Sequence, residues 1–240
     1  MVPLRDENPI QITPYVTYGL ILLNVLIFLF EASLPNVQLT QFFNHWAIVP
    51  RELTVSFETG FAPPNWSEWN TLVTSQFLHG GFLHVAGNML YLWIFGNNLE
   101  EQLGRAKFLF FYVACGVLAG LTQWLVDPLT TVPSLGASGA IAGVMGAYIF
   151  RFPQVRILTL VPLGLLLPFR IPAVFFLGFW FLEQAAYGLL SLEAPANLGM
   201  DGGVAYWAHA GGFVFGAILG GLLGLFDQPE EPVSEGMPGE

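Results

Sequence analysis

Long apolar stretches separated by short polar connections dominate the chain from residue 15 onwards. A helix needs about 20 apolar residues to cross the roughly 30 Å hydrocarbon core of a bilayer. Six stretches approach or reach that length, at residues 15–34, 82–98, 106–126, 136–152, 171–191 and 203–226. The first lacks a clear signal-peptide cleavage site, so we expect it to be retained. The pattern predicts an all-α membrane protein built as a bundle of six transmembrane helices, here called spans one to six.

A seventh apolar run, at residues 157–167, is interrupted by Pro162 and followed by Pro168. It is too short to cross a bilayer as a helix. Backbone groups left unpaired in hydrocarbon cost several kcal/mol each, so we expect this run to lie along the membrane interface or to pack under the bundle. The long connection at residues 35–81 carries tryptophans, which are typical of an interfacial segment.

The composition supports a membrane protein with one domain. Hydrophobic residues make up 54% of the chain and charged residues 10%, against about 25% charged in ordinary soluble domains. We expect residues 1–14 to form a cytoplasmic N-terminal segment, residues 15–226 the membrane domain, and residues 227–240 a disordered acidic tail. The net charge of -10 says little about the bundle, because five of the 17 acidic residues belong to this tail. The single cysteine, Cys115, lies in an apolar run, where we expect a role in helix packing.

The basic residues predict the orientation of the spans. Most of them precede span one, join spans two and three, or join spans four and five, and these are Arg5, Arg105, Lys107, Arg151, Arg156 and Arg170. Arg51 falls on the other side. By the positive-inside rule, both termini are cytoplasmic and the connections 35–81, 127–135 and 192–202 face outward. We therefore expect a multi-pass protein of the cell membrane.

Four polar side chains then lie near the outer ends of three spans. Span two carries His84 and Asn88, span four begins near Ser138, and span six carries His209. Polar and ionisable groups inside a membrane are costly, and they are a functional hypothesis by default. The arrangement brings a hydroxyl, two imidazoles and a carboxamide to a similar depth.

Ser138 and His209 are candidates for nucleophilic catalysis. Ser138 is predicted at a helix N-terminus, where unpaired N–H groups and the helix dipole suit a developing oxyanion. A neutral His209 imidazole can take the serine proton and later return it to a leaving amine. The simpler alternatives are small-residue helix packing for the serine and an interhelical hydrogen bond for the histidine.

Glycine spacing predicts that spans four and six pack closely. Glycines recur every fourth residue after His209, and span four offers three more; the two sets are Gly212, Gly216, Gly220 and Gly224, and Gly139, Gly143 and Gly146. Small residues let helix backbones approach closely. We therefore expect the serine and the histidine to come within hydrogen-bond reach.

His84 and Asn88 are four residues apart and share one helix face. Both can donate hydrogen bonds to an oxyanion formed at Ser138, although interhelical hydrogen bonding is the alternative for Asn88. The carboxylates of Glu31 and Glu183 lie in spans but in no motif with these residues. A catalytic dyad is therefore favoured over a Ser-His-Asp triad.

Other ligand classes are not indicated by the sequence. His45 is expected to be a solvated or interfacial loop histidine, and His79 a structural histidine at the interface. No combination of cysteine, histidine and glutamate has the spacing of a metal site, and no phosphate-binding loop or basic nucleic-acid patch is evident. We expect no cofactor, no metal and no nucleic-acid partner, and the oligomeric state stays open.

Three short motifs occur in order along the chain. They are His79 with His84-Val85-Ala86-Gly87-Asn88 around span two, Gly136-Ala137-Ser138-Gly139 in span four, and Ala208-His209 before the glycine series in span six. On six spans and in this order, they resemble the rhomboid family of intramembrane serine proteases over roughly residues 15–226.

The resemblance implies an endopeptidase that cleaves transmembrane segments of membrane proteins. It implies Ser138 as nucleophile, His209 as base, and His84, Asn88 and the backbone N–H of Ser138 as oxyanion donors. It also implies a water-filled cavity open outward and a lid at residues 192–202. Two positions depart from the family pattern: Asn70 stands where many relatives have arginine after tryptophan, and Ala142 stands where some have an aromatic residue that stacks on the histidine.

Two other functions remain to be weighed. The first is a catalytically inactive rhomboid-like protein that binds membrane clients, which the presence of both Ser138 and His209 disfavours. The second is a transporter or proton channel with His84 and His209 as relays. The lack of evident inverted repeats in the sequence disfavours a transporter.

Overall fold

Each of the six long apolar stretches contains a helix in the computed structural model, which describes residues 1–60, 65–162, 166–193 and 204–227. The helices in these residues are α1 (Tyr15–Ser33), α2 (Asn36–Trp46), α3 (Pro50–Glu58), α4 (Thr71–Thr74), α5 (Phe82–Leu103), α6 (Arg105–Val126), α7 (Ser138–Arg151), α8 (Ala173–Glu193) and α9 (Tyr206–Leu222). The strands are β1 (Val2–Asp6), β2 (Arg156–Pro162) and β3 (Leu166–Pro172). Turns of 3₁₀ helix cover Asn65–Asn70 and Ser75–Phe77.

Three of the helices are long and apolar enough to cross a membrane by length and composition: α1, α6 and the Ala173–Leu192 part of α8. The helices α7 and α9 are shorter, with 14 and 17 residues. The helix α7 lies at the centre of the bundle, and its residues from Gly139 to Tyr148 are all buried. Because α5, α6, α8 and α9 surround it, α7 has little surface left to face lipid.

The fold is mostly helical, as expected, but it also contains a three-stranded antiparallel sheet in the order β1-β2-β3, which the sequence did not predict. The seventh apolar run forms most of β2 and the start of β3. Prolines lack the N–H that a central strand must donate, and they fall in the edge strands or at the end of β2, at Pro3, Pro162, Pro168 and Pro172. The run is therefore compatible with strands, but β2 also needs β1, which precedes it by about 150 residues.

The sheet lies at the end of the bundle opposite to Ser138. The Tyr148 hydroxyl near the end of α7 donates a 2.6 Å hydrogen bond to the Asp6 carboxylate at the end of β1. Ten residues separate Tyr148 from Ser138 along this helix, a rise of about 15 Å. At the same end, the Glu100 carboxylate of α5 accepts hydrogen bonds from the backbone N–H groups of Val16 and Thr17, at 2.9 and 2.7 Å. This acidic group satisfies donors at the N-terminus of α1.

The glycines predicted to bring spans four and six together do so. A methyl group placed on Gly216 would overlap the carbonyl oxygen of Gly143, and one on Gly146 would overlap that of Phe213. The fourth glycine of the series, Gly224, lies beyond α9 and takes a positive φ of 82°. Cys115 of α6 is fully buried against Gly143, which agrees with a role in helix packing.

Candidate active site

The helix α7 begins at Ser138, as predicted from the sequence. The chain enters it through Gly136, whose φ of 129° favours glycine. The first N–H groups of a helix have no partner within the helix, so the start of α7 offers donors beside the serine hydroxyl. Ser138 keeps partial exposure, whereas Ala137 and Gly139 on either side are buried.

Ser138 and His209 are in hydrogen-bond contact. The Oγ atom of Ser138 lies 2.7 Å from Nε2 of His209, although the two residues are 71 positions apart. The contact depends on the close approach of α7 and α9, because a methyl group on Gly212 would overlap the carbonyl oxygen of Gly139. The structure therefore brings together the hydroxyl and the imidazole that the sequence singled out.

His84 and Asn88 lie beside the segment that leads into α7. A methyl group placed on Gly136 would stand 2.8 Å from Nε2 of His84 and 3.7 Å from Nδ2 of Asn88. Asn88 is 8% exposed. Its Nδ2 is buried and has no hydrogen-bond partner within the part of the chain that the structure describes. An unpaired donor of this kind is available to an additional acceptor near Ser138.

A cavity of about 960 Å³ joins these groups. Its lining includes all four predicted side chains, Ser138, His209, His84 and Asn88, together with apolar residues of α7 and α8. A space of this size is large enough for an extended peptide segment beside the serine.

Two contacts of His209 were not anticipated from the sequence, and both come from α8. The Oε1 atom of Gln184 lies 2.8 Å from Nδ1 of His209. The ring of Trp180 lies 5.7 Å from the imidazole, centroid to centroid, at an interplanar angle of 36°. Trp180 supplies from α8 the aromatic contact that Ala142 does not supply from α7. The sequence does contain a signal for these contacts: Gln184 follows Trp180 by four residues within an apolar span, so the two side chains share one face of the helix.

The other two histidines, His79 and His45, belong to the connection at residues 35–81 and do not line the cavity. His79 is buried, and its backbone N–H donates to the Glu31 carboxylate at 3.2 Å. Burial, together with the neighbouring His84, lowers the pKa of His79 to about 4. His45 is exposed and makes an edge contact with Trp46. No group of three or more histidine, cysteine or acidic side chains suited to a metal occurs within the described ranges.

The first connection is held by contacts of Trp69, although Asn70 follows it where many relatives have arginine. The Nε1–H of Trp69 donates a 2.9 Å hydrogen bond to Oγ of Ser56, and its ring meets that of Trp124 edge to face at 5.5 Å. The expected lid at residues 192–202 falls largely on residues 194–203, which lie outside the described residues, as do residues 228–240 of the expected acidic tail.

The fold and the site define a helical membrane protein in which a serine hydroxyl lies in hydrogen-bond contact with a histidine, and sequence comparison identifies the family. Residues 66–226 match the Rhomboid domain family, so this chain belongs to that family and is a multi-pass membrane protein. Proteins of a bacterium and of a yeast are similar to it.

The protein YdcA of Bacillus subtilis (strain 168) is 35% identical over 150 residues, covering 61% of this chain and 68% of YdcA. The mitochondrial Rhomboid protein 1 of Saccharomyces cerevisiae is 33% identical over 156 residues, covering 62% of this chain and 40% of that protein. Rhomboid protease GluP of Bacillus subtilis is 32% identical over 158 residues, covering 66% of this chain and 27% of GluP. The match thus spans less than half of the length of the last two.

Proposed function

We propose that this protein is an intramembrane serine endopeptidase that cleaves transmembrane segments of membrane proteins. The observation that carries the proposal is the 2.7 Å contact between Oγ of Ser138 and Nε2 of His209. A nucleophile and a base within hydrogen-bond reach, beside a cavity, are the geometric signature of covalent catalysis. Membership of the Rhomboid domain family supports the same reading.

In the first half-reaction, Oγ of Ser138 attacks the carbonyl carbon of the scissile peptide bond. His209 accepts the hydroxyl proton at Nε2 as general base. The negative charge that forms on the carbonyl oxygen is stabilised by the Ser138 backbone N–H, Asn88 and His84. His209 then returns the proton to the leaving amine, and the C–N bond breaks to leave an acyl-enzyme ester on Ser138.

In the second half-reaction, water attacks the ester and His209 accepts its proton. The tetrahedral intermediate uses the same three donors and collapses with the return of the proton to Oγ of Ser138. The carboxylic acid product leaves and the free enzyme is restored. Neither half-reaction needs a charged third group, so a catalytic dyad is sufficient for the proposed mechanism.

The substrate is a transmembrane helix that reaches the cavity laterally between α5 and α8 and unwinds locally. Unwinding exposes the scissile carbonyl, since an intact helix engages its carbonyl groups in hydrogen bonds. In this proposal α1, α5, α6, α7, α8 and α9 are the six spans of one domain at residues 15–226, in the cell membrane. Both termini are cytoplasmic, so the active site lies near the outer leaflet.

A fluorophosphonate probe tests the proposal, because an activated serine displaces its fluoride and forms a stable phosphonate ester. In lipid, we expect the wild-type protein to be labelled and the Ser138→Ala variant to remain unlabelled. The His209→Ala variant should lose labelling too, since the hydroxyl then has no base. Ser134 lines the same cavity, and Ser134→Ala is the matched control that should still be labelled.

The companion measurement is cleavage of single-span proteins reconstituted with the enzyme. Labelling that persists in Ser138→Ala, or a folded wild-type protein that neither reacts with the probe nor cuts any of a panel of such substrates, would overturn the proposal. If the folded wild-type protein neither reacts nor cleaves, the alternative is a protein that binds membrane clients without cutting them.

A further inference from the structure

The proposed base needs a defined tautomer. To accept the proton of Ser138, Nε2 of His209 must be unprotonated, so the single proton of the neutral ring must be on Nδ1. In water the two neutral tautomers interconvert freely. A group that holds the active form has to accept a hydrogen bond at Nδ1.

Gln184 supplies such an acceptor. Its Oε1 lies 2.8 Å from Nδ1 of His209, and the side chain is 8% exposed. An amide oxygen accepts hydrogen bonds and cannot donate them, so this contact requires a proton on Nδ1. The opposite amide orientation would present N–H groups to Nδ1, move the ring proton to Nε2 and direct it at Ser138.

The same face of α8 also fixes the plane of the imidazole. Trp180 precedes Gln184 by four residues, so both side chains project from one side of the helix. The Trp180 ring contacts His209 at 5.7 Å and also Phe213, one turn further along α9, at 6.3 Å. One helix face thus supplies an aromatic contact and a directional hydrogen bond to the same ring.

A neutral amide suits this position better than a carboxylate. A buried charge beside His209 would have to be desolvated within the membrane domain, and the carboxylate of Glu183 lies one residue away, turned by about 100° around the helix axis. An amide selects the tautomer without that cost, but it stabilises the protonated imidazole less than a carboxylate would.

We propose that Gln184 is the positioning residue of His209: its Oε1 accepts the Nδ1–H hydrogen bond, fixes the active tautomer and completes a hydrogen-bonded chain from Ser138 through His209 to Gln184. The inference rests on the proposed protease function and deepens it. It adds to the expected Ser138–His209 dyad a neutral supporting residue from α8.

The test compares two substitutions in the full-length protein in liposomes. Gln184→Met keeps the length of the side chain and removes the acceptor, so we expect kcat to fall by about 10²-fold with KM unchanged. This is less than the roughly 10⁴-fold effect of losing the aspartate in a Ser-His-Asp triad, because the amide carries no charge. Glu183→Gln, at the neighbouring position, is the matched control and should keep wild-type kcat.

Gln184→Glu provides a readout that a packing role would not change. It restores an acceptor oxygen, so we expect kcat to recover. A carboxylate stabilises the protonated imidazole, so the acid limb of the kcat–pH profile should move to higher pH. His84 also faces this site from α5 and is common to all of the variants, so it does not account for a difference between them.

Nitrogen-15 NMR of histidine-labelled protein reads the tautomer directly, and the chain has only 4 histidines to assign. We expect the Nδ1–H form at His209 in the wild type and a mixture in Gln184→Met. A wild-type resting form protonated at Nε2 overturns the inference even if Gln184→Met does not fold, as does a folded Gln184→Met with unchanged kcat and tautomer. If the wild type cleaves nothing and resists the fluorophosphonate probe, the protease proposal fails, whereas the NMR result still decides the Gln184 contact.

Discussion

At the scale of single residues, the donor on Asn88 is held in a position that costs stability. A buried donor without a partner costs about 1–3 kcal/mol, and Nδ2 of Asn88 has none within the described residues. Such a cost is tolerated where the group is used, and this donor lies beside the entry to α7. The sequence pointed to Asn88 because a carboxamide in a span is unusual, but its unpaired state is visible only in the fold.

Asn88→Ala separates catalysis from stability. If Nδ2 donates to the oxyanion, kcat should fall by about 10² to 10³-fold, with little change in KM because the bond strengthens in the transition state. Thermal stability should not fall, since the substitution removes an unsatisfied donor. Cleavage kinetics and thermal unfolding of the same preparations provide the measurement.

Asn97→Ala is the control for Asn88→Ala. Asn97 lies on the same helix, and its Oδ1 accepts a hydrogen bond from the neighbouring backbone N–H of Asn98, far from the cavity. It should leave kcat unchanged. Equal kcat values for Asn88→Ala and the wild type would remove Asn88 from the oxyanion site.

At the scale of elements, the site depends on the contact between α7 and α9. These helices carry the serine and the histidine, and glycines on both allow their backbones to touch. The four-residue spacing of the glycines was sufficient to predict this pairing. The sheet was not predictable in the same way, because β2 pairs with β3 and also with residues 2–6, and the second pairing joins segments about 150 residues apart.

Gly216→Ala tests how closely the two helices must pack. The added methyl group would overlap the carbonyl oxygen of Gly143, which is backbone and cannot rotate away. We expect a loss of about 1–3 kcal/mol of stability, as in other overpacked sites. Because the helices must separate, the rate of fluorophosphonate labelling at Ser138 should also fall.

Gly19→Ala is the matched control on α1. A methyl group there meets nothing within 4 Å, and alanine favours a helix over glycine by up to about 1 kcal/mol. It should keep or raise the melting temperature and leave labelling unchanged. If the two alanine variants had the same stability and labelling rate, close contact would not be the reason for glycine at position 216.

At the scale of the whole molecule, the ends of the bundle have different roles. One end carries the cavity, and the other is closed by the sheet and by the contact of β1 with α7. Burial raises the pKa of Asp6 to about 6, and the hydrogen bond from Tyr148 opposes the shift. When β1 is undocked, Asp6 returns to its ordinary pKa near 3.8. The docked state therefore binds the extra proton.

Docking of β1 should strengthen as the pH falls. The cost of burying the charged carboxylate is fully present above about pH 6 and disappears as the pH approaches 4. Hydrogen exchange of residues 1–10, corrected for the intrinsic rate, should show protection rising by about 25-fold between pH 7 and pH 4.5, given the two pKa values.

Asp6→Asn should give the stronger protection at both pH values, because it has no charge to bury. The control is Glu7→Gln, which loses an exposed ion pair with Arg170 and should keep the pH dependence. Protection that rises with pH in the wild type, or that stays constant, would contradict the assignment to Asp6.

The sequence by itself was sufficient to predict a membrane protein and to locate its helical stretches. It also pointed to four candidate site residues, Ser138, His209, His84 and Asn88. It did so because the cost of polar groups in a bilayer makes each intramembrane one conspicuous. The tertiary structure decided what depends on pairing between distant segments: the sheet, the contact of Trp180 and Gln184 with His209, and the 2.7 Å distance across α7 and α9. Such contacts are set by close packing of whole helices, which local patterns of residues do not encode.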